Sequence, residues 1–212
     1  MANKRKHGTI LVATGLLCIA AALFLAGKNL WDEYKAGVAV SHVLAEFQAQ
    51  VPGTAQGQAS GGGEDAAGLA DYLLNPDMEM PVCEIEGNYY IGVLEVPALG
   101  LSLPVMSEWS YENLKIAPCR YSGSAYTGNF TIAGHNYSTH FGPIGNLTAK
   151  AQITFTDAKG RSFFYEVQAV EVLEATAVED MLSDQWDLTL FTCTSSGQAR
   201  VTVRCLKTGQ AG

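Results

Sequence analysis

Basic residues are scarce in most of this 212-residue chain. It contains 13 Lys and Arg against 21 Asp and Glu, and no base occurs between Lys35 and Lys115. Four of the bases precede Leu30, so the rest of the chain carries nine bases against 21 acids, a formal charge near −12. A surface of this sign repels phosphates, and the sequence therefore argues against nucleic acid as a partner.

Metal-binding patterns are also missing. The chain has neither a CxxC nor an HxxxH pair, and the acidic residues of the region 171–180 are more typical of a solvated surface than of a calcium site. We therefore predict no metal and no other cofactor. Histidine is rare as well: His7 and His42 precede the β-rich part of the chain, so the candidates for an acid/base group there are His135 and His140.

One long apolar run stands near the N-terminus. Residues 9–27 (TILVATGLLCIAAALFLAG) have about the length that a helix needs to cross a bilayer. Basic residues precede the run and acidic residues follow it, which predicts a cytoplasmic N-terminus and an extracellular remainder. A cleaved signal peptide is the alternative, since it has similar flanks. The retained anchor is favoured because the run is long and continues without proline into a helical pattern.

The composition divides the chain into five segments. We predict a cytoplasmic N-terminus at 1–8, a transmembrane anchor at 9–27, a helical stalk at 28–50, a flexible linker at 51–80 and a folded domain at 81–212. The linker is rich in Gly, Ala, Ser and Gln and has too few large apolar groups to offset the entropy of ordering it. The apolar residues of the stalk recur at three- and four-residue spacings: Tyr34, Val38, Val43, Leu44 and Phe47.

From Tyr89 onward the pattern changes to short β-rich runs separated by turns. Examples are YYIGVLEV, NFTIAG, SFFYEVQAVEVL, DLTLFTC and ARVTVRC. Seven or eight such strands in about 120 residues predict a closed or nearly closed β-barrel. Residues 110–116, 143–147 and 178–183 are predicted as short helices between the strands.

Cys193 ends the strand DLTLFTC and is followed by a glycine-containing turn. A strand end holds a thiol in place, and a turn beyond it leaves room for a large substrate. A nucleophilic cysteine also needs a base or a cation beside it. His135 ends another strand, TIAGH, after a glycine that would let the chain turn; His140 lies in the following loop and is the weaker candidate.

Arg200 supplies the third element. A cysteine or a histidine alone is more often structural than catalytic. However, a tight return after Cys193 would bring Arg200, the first polar residue of the strand ARVTVRC, beside the thiol. Its guanidinium would then stabilise an oxyanion, a role commonly worth a few kcal/mol. Arg204 shares the strand parity of Arg200 but lies about 13 Å along the strand, so we expect it at the surface or the edge of a groove.

These motifs together resemble the sortases of Gram-positive bacteria. The resemblance rests on TLFTC followed by Arg, on the earlier AGH and on the opening IGVLEVPALGLSLPV, and it covers residues 89–207 together with the N-terminal anchor and stalk. It implies a mainly β fold, a sortase-type closed eight-stranded barrel with short helices, preceded by an N-terminal transmembrane helix. It makes Cys193 the nucleophile, His135 the acid/base group and Arg200 the oxyanion stabiliser. Thr192 matches a threonine that shapes the oxyanion site, and Asn136 either lines the substrate site or only forms the turn.

The implied reaction is transpeptidation. The thiolate attacks a backbone carbonyl within the C-terminal sorting motif of a secreted protein, and an amine of a peptidoglycan precursor or a pilin lysine resolves the acyl-thioester. The enzyme would sit in the cell membrane as a single-pass protein with an extracellular catalytic domain. The segment NYSTHFGPIGNL resembles class B enzymes, whereas the stretch 174–187 is shorter than theirs, so a class B-like and a class D-like assignment both stay open.

Two other functions and one disulfide complete the expectations. A papain-like wall peptidase or amidase also uses Cys and His, but it places the cysteine early and at the start of a helix. A non-catalytic wall-binding β-domain would need no reactive thiol. Cys119 and Cys205 would either meet at one edge of the barrel as a disulfide or stay buried as separate thiols.

Overall fold

The computed structural model describes residues 2–51 and 71–208, with side chains from residue 12 onward. Most of the predicted linker therefore lies outside the described residues. The chain forms two compact units, Met1–Lys35 and Ala36–Gly212.

The first unit consists of helix. Helix α1 spans Ala2–Gln50 and so covers both the predicted anchor and the predicted stalk. It is long and apolar enough to cross a membrane, and the side chains of residues 12–31 are exposed. A buried core helix would not show this exposure, whereas a signal sequence would share it.

The second unit is mainly β, as predicted. Its strands are β1 Cys83–Ile85, β2 Asn88–Val96, β3 Leu101–Met106, β4 Cys119–Ser124, β5 Gly128–Ala133, β6 Gln152–Asp157, β7 Ser162–Glu174, β8 Leu188–Cys193 and β9 Ala199–Lys207. The short helices are α2 Asp71–Leu74, α3 Tyr111–Leu114 and α4 Val178–Met181, with 3₁₀ turns at Pro97–Leu99 and Gly142–Asn146. All three predicted short helices are present within a few residues of their expected bounds.

Eight of the strands close into a barrel. The order is β2-β3-β4-β5-β8-β9-β7-β6, and the pairing of β6 with β2 completes the ring, while β1 adds to the edge of β2. The pairs β3–β4 and β5–β8 are parallel, and the others are antiparallel. The predicted closed eight-stranded barrel is confirmed.

Strand alternation divides the apolar residues into two clusters. The inner cluster contains residues from strands around the whole barrel. On β8, Leu188 and Leu190 belong to it. Phe191 belongs to an outer cluster on the other surface of the sheet, together with Ala133 and Cys119. Because successive side chains of a strand face opposite ways, Cys193 shares the outer surface with Phe191.

The C-terminal part of α1 packs against the barrel. Within the second unit Ala36, Val40, Val43 and Phe47 are buried, at the spacing of one helical face. Val43 and Phe47 belong to the outer cluster, and Val40 belongs to the inner one. The predicted stripe is partly wrong, because Tyr34 and Val38, which lie off this face, are more than half exposed. Residues 36–50 are thus part of the barrel unit rather than a separate stalk.

The chain rejoins the barrel unit at Asp71, ten residues before the predicted start at 81. The Tyr72 ring stacks on Tyr126 with a centroid distance of 4.9 Å. Asp71 accepts a charge-assisted hydrogen bond from Arg161. Met80 is 4% exposed. Residues 71–80 therefore pack as part of the fold, which composition alone did not reveal.

Of the two possibilities that the sequence left open for Cys119 and Cys205, the structure shows the separate thiols and no disulfide. Both thiols are free and buried, the first in the outer cluster and the second in the inner cluster. Strands β5 and β8 lie between them, so they are three strand spacings apart, about 14 Å along the sheet, whereas a disulfide needs Cα atoms within about 7 Å. Burial raises the pKa of each thiol to about 12.

Candidate active site

Cys193 is the exposed cysteine of the barrel unit and the last residue of β8. A tight turn follows it, closed by hydrogen bonds from Thr194 N to Ala199 O at 2.9 Å and from Gly197 N to Thr194 O at 2.8 Å. Gly197 has φ +73°, a conformation that favours glycine. The turn reverses the chain within a few residues and leaves the thiol open to solvent.

Arg200 lies directly opposite Cys193 in the β8–β9 pair. Opposed residues of an antiparallel pair have Cβ atoms about 5 Å apart and share a face of the sheet. The guanidinium Nη1 donates to Gly197 O and to Ala199 O, both at 3.1 Å. These two carbonyls hold the charged group against the turn that follows Cys193.

His135 reaches the same end of the barrel from β5. Ala133 is in register with Phe191 of the neighbouring parallel strand, and Gly134 N donates to Phe191 O at 3.0 Å. His135 follows Ala133 by two residues, as Cys193 follows Phe191 by two residues. His135, Cys193 and Arg200 therefore lie at the same end of three adjacent strands.

The environment of His135 lowers its pKa. The ring is partly buried and stacks on Tyr137 with a centroid distance of 4.7 Å. Burial disfavours the imidazolium and is the larger cause of the lowered pKa, and the positive charge of Lys115 adds to it. The imidazole is thus neutral near pH 7 and able to accept a proton. Sequence reasoning missed Lys115, which follows α3 twenty positions before the histidine.

Gly134 is required by packing. A Cβ atom at this position would lie 2.5 Å from ring atoms of Phe141, closer than any real contact. Phe141 N in turn donates to His135 O at 3.1 Å, so the loop after the histidine folds back onto it. The glycine was expected to let the chain turn; instead it admits the ring that fixes the His135 backbone.

Thr192 and Asn136 flank the site differently. Thr192 is 2% exposed and faces the barrel interior, where its hydroxyl makes no hydrogen bond with any residue the structure describes. Asn136 is exposed in the loop that follows His135. His140 is fully buried near Tyr137, with ring centroids 5.4 Å apart, rather than exposed beside the thiol.

Arg204 is not the surface residue that the sequence suggested. It is 2% exposed, and its guanidinium is hydrogen-bonded on all three nitrogens. Among the described residues 2–51 and 71–208, no group of three or more His, Cys, Asp and Glu is placed to hold a metal ion.

An aromatic groove adjoins the site on the β4 side. Phe191 meets the ring of Tyr121 edge-on at 5.3 Å, and Tyr121 meets Trp109 at 5.7 Å. A cavity of about 320 Å³ lies between residues 107–109 and 120–123. No sequence pattern indicates this groove, because it forms between β3 and β4, which pair through one residue each.

Comparison with known proteins identifies the family. The sortase domain model matches residues 94–208. YwpE of Bacillus subtilis (strain 168), a protein assigned to the sortases, is 33% identical over an alignment 72 residues long, and the match covers 31% of this chain and 68% of that protein.

Solved sortase structures share the fold. Sortase C1 from Streptococcus agalactiae superposes with a TM-score of 0.53 at 19% identity, over 60% of this chain and 72% of that chain. Sortase A from Corynebacterium diphtheriae superposes with a TM-score of 0.52 at 24% identity, over 65% of this chain and 66% of that chain. The sortase D5 transpeptidase from Clostridium perfringens superposes with a TM-score of 0.51 at 24% identity, over 59% of this chain and 83% of that chain. With its closed barrel and the matched domain, the chain belongs to the sortase family of cysteine transpeptidases.

Proposed function

We propose that the protein is a membrane-anchored sortase in which Cys193 carries the acyl group during transpeptidation. The observation that supports this most directly is the position of Cys193 as the one exposed thiol of the described barrel unit, opposite Arg200 and at the same end of the barrel as His135. The substrate is a secreted protein with a C-terminal sorting motif. The neutral imidazole of His135 takes the thiol proton as Cys193 attacks a backbone carbonyl of that motif.

Acylation ends with expulsion of the leaving amine. As the new carbon–sulfur bond forms, negative charge develops on the carbonyl oxygen, and the Arg200 guanidinium donates a hydrogen bond to it. The carbon–nitrogen bond then breaks, and His135 returns its proton to the departing amine. Asn136, exposed beside the histidine, is placed to line the substrate, and Thr192 shapes the oxyanion site through the backbone that precedes Cys193.

The acyl-thioester is resolved by a second amine. The acceptor is an amine of a peptidoglycan precursor or a lysine of a pilin subunit, and water serves slowly in its absence. In this proposal residues 9–27 anchor the enzyme in the cell membrane, residues 1–8 are cytoplasmic, and the catalytic barrel is extracellular.

Intact-mass measurement on the full-length chain in detergent tests the proposal. The protein is incubated with a pool of sorting-motif peptides, and then with triglycine, diaminopimelate or a lysine peptide as acceptor. We expect an acyl adduct on Cys193, and a ligated product once the matching acceptor is added. Cys193→Ala removes both, whereas Cys18→Ala, which removes the exposed thiol of α1, keeps both.

Two results would contradict the proposal. A wild-type protein that gains no adduct, while Cys193 is still alkylated by iodoacetamide, would indicate a binding domain. Hydrolysed peptide without any ligated product, for every acceptor, would indicate a peptidase. The papain-like arrangement is disfavoured already, because Cys193 ends a strand and follows His135 in the chain.

A further inference from the structure

Arg204 is a buried cation for which the proposed chemistry has no use. Its Nε donates to Glu171 Oε1 at 2.7 Å, and its Nη2 donates to Asp180 O at 2.7 Å. Its Nη1 donates to Met181 O at 3.2 Å and to Thr189 Oγ1 at 3.1 Å. Such complete pairing compensates the cost of burying the charge.

The four acceptors tie one loop to the sheet. Glu171 lies on β7 and Thr189 on β8, while the two carbonyls belong to the end of α4, within the connection 175–187 that joins these strands. Carbonyls in the last turn of a helix lack partners within the helix. Arg204 supplies those partners from β9 and so fastens the connection to three adjacent strands.

This connection borders the site of Cys193. It leaves β7 at Glu174, one residue after Leu173, which lies opposite Arg200. Met181 of α4 is 3% exposed and belongs to the outer cluster together with Phe191. The connection therefore starts beside the proposed oxyanion donor and returns over the face of the sheet on which the thiol opens.

Pairing across β8 and β9 places Arg204 on that same face. Thr189 is opposite Arg204, and Cys193 is opposite Arg200, with one further pair on this face between them. Arg204 is thus about four residues from the reacting end and does not touch it. Its influence on the thiol has to pass through the connection that it holds.

We propose that Arg204 is a positioning residue that sets peptide selectivity, by holding the connection 175–187 as a fixed wall of the groove beside Cys193. The inference rests on the proposed transpeptidase function. It requires a planar cation with several donors, because the three donors of a lysine radiate from one nitrogen and do not span the acceptors that the guanidinium reaches from three nitrogens. Loosening the wall weakens peptide binding and discrimination and leaves the thiol chemistry unchanged.

The test compares Arg204→Lys and Glu171→Gln with wild type in the full-length chain in detergent. Acylation kinetics are measured with the best and the worst peptide of the pool that form an adduct. We expect KM for the best peptide to rise about tenfold or more, and kcat to change by less than about twofold. The reason is that displacement of the connection 175–187 weakens peptide binding and leaves the reacting groups in place. The kcat/KM ratio between the two peptides falls toward one, and iodoacetamide alkylates Cys193 at the wild-type rate.

Hydrogen exchange gives a readout that is independent of peptides. Amides of the connection 175–187 exchange faster in Arg204→Lys than in wild type, whereas those of β5 keep their protection. Glu171→Gln shows the same trend more weakly. This second variant removes the charge of one partner and keeps an oxygen acceptor, and because the Glu171 side chain is 43% exposed it does not endanger the fold.

Arg161 offers a matched control. Its side chain is 12% exposed and pairs through Nε with Asp157 Oδ2 at 2.8 Å, at the end of the strands opposite to Cys193. Arg161→Lys is expected to lower the melting temperature without changing KM or the peptide ratio. Equal kinetic effects of Arg161→Lys and Arg204→Lys would reduce the role of Arg204 to general stability and overturn the proposal.

The two proposals fail in different ways. If wild type forms no adduct with any peptide, the transpeptidase function falls and peptide selectivity falls with it. If wild type is acylated while Arg204→Lys and Glu171→Gln keep the wild-type KM and ratio, the function stands and the role of Arg204 is refuted.

Discussion

At the scale of single residues, strand parity decides which side chains meet. Thr192 and Cys193 are neighbours in sequence, yet the first is buried in the barrel and the second is exposed on its outer surface. The turn through Gly197 returns the chain so that Arg200, rather than its neighbours, lies across from the thiol. A shift of one residue in this pairing would send the guanidinium to the opposite face.

Arg200→Lys tests the oxyanion role at this scale. Lysine keeps the charge but loses the planar fork held by the Gly197 and Ala199 carbonyls. We expect the acylation rate to fall about 100-fold, the cost of losing one oxyanion donor, with little change in melting temperature. Arg161→Lys, which alters an arginine paired with Asp157 at the opposite end of the strands from Cys193, is the control. Retention of more than about a tenth of the activity would transfer the role to another donor.

Lys115→Met tests the electrostatics of His135. Removing the positive charge stabilises the imidazolium, so the pKa of His135 rises back toward its ordinary value. Titration of the imidazole by NMR measures this directly, and the acid limb of kcat/KM for acylation moves to higher pH with it. Lys159→Met, at the Asp71 end of the barrel, is the control. An unchanged His135 pKa in Lys115→Met would show that burial alone lowers it.

At the scale of elements, the C-terminal half of α1 packs against the barrel. Its helical pattern was visible in the sequence, but the face that it buries was not. Val40 is buried and Val38 is exposed although the two residues are identical, so only contact with the barrel reveals which face is packed. The position of a residue on the helix, rather than its hydrophobicity alone, decides whether it is buried.

Phe47→Ala and Tyr34→Ala measure that packing. Phe47 is wholly buried in the outer cluster, and its truncation is expected to cost about 3–5 kcal/mol of unfolding free energy. Tyr34 is 65% exposed, and its truncation is expected to cost about 0.5 kcal/mol or less. Chemical denaturation of the full-length variants in detergent gives both values. Equal costs at the two positions would show that the helix does not stabilise the barrel.

At the scale of the whole molecule, the sequence predicted the features that depend on residues close together in the chain. The strands, their alternation and the turn between Cys193 and Arg200 depend on neighbouring residues, and the sequence was sufficient for them. The approach of His135 depends on a parallel β5–β8 pair between segments more than fifty residues apart, and only the family resemblance anticipated it. The sequence did not predict the effect of Lys115 on His135 or the hydrogen bond from Arg204 to Glu171, because both also join segments far apart in the chain.

The segment 52–70 begins and ends on the same folded unit. Val51 before it is buried, and Asp71 after it is fastened by Arg161. The segment therefore connects two points of the same unit. Doubling the length of a flexible connection between fixed ends costs only about 0.6 kcal/mol. We therefore expect insertions between Val51 and Asp71 to be tolerated, because both flanking residues are held by the barrel unit.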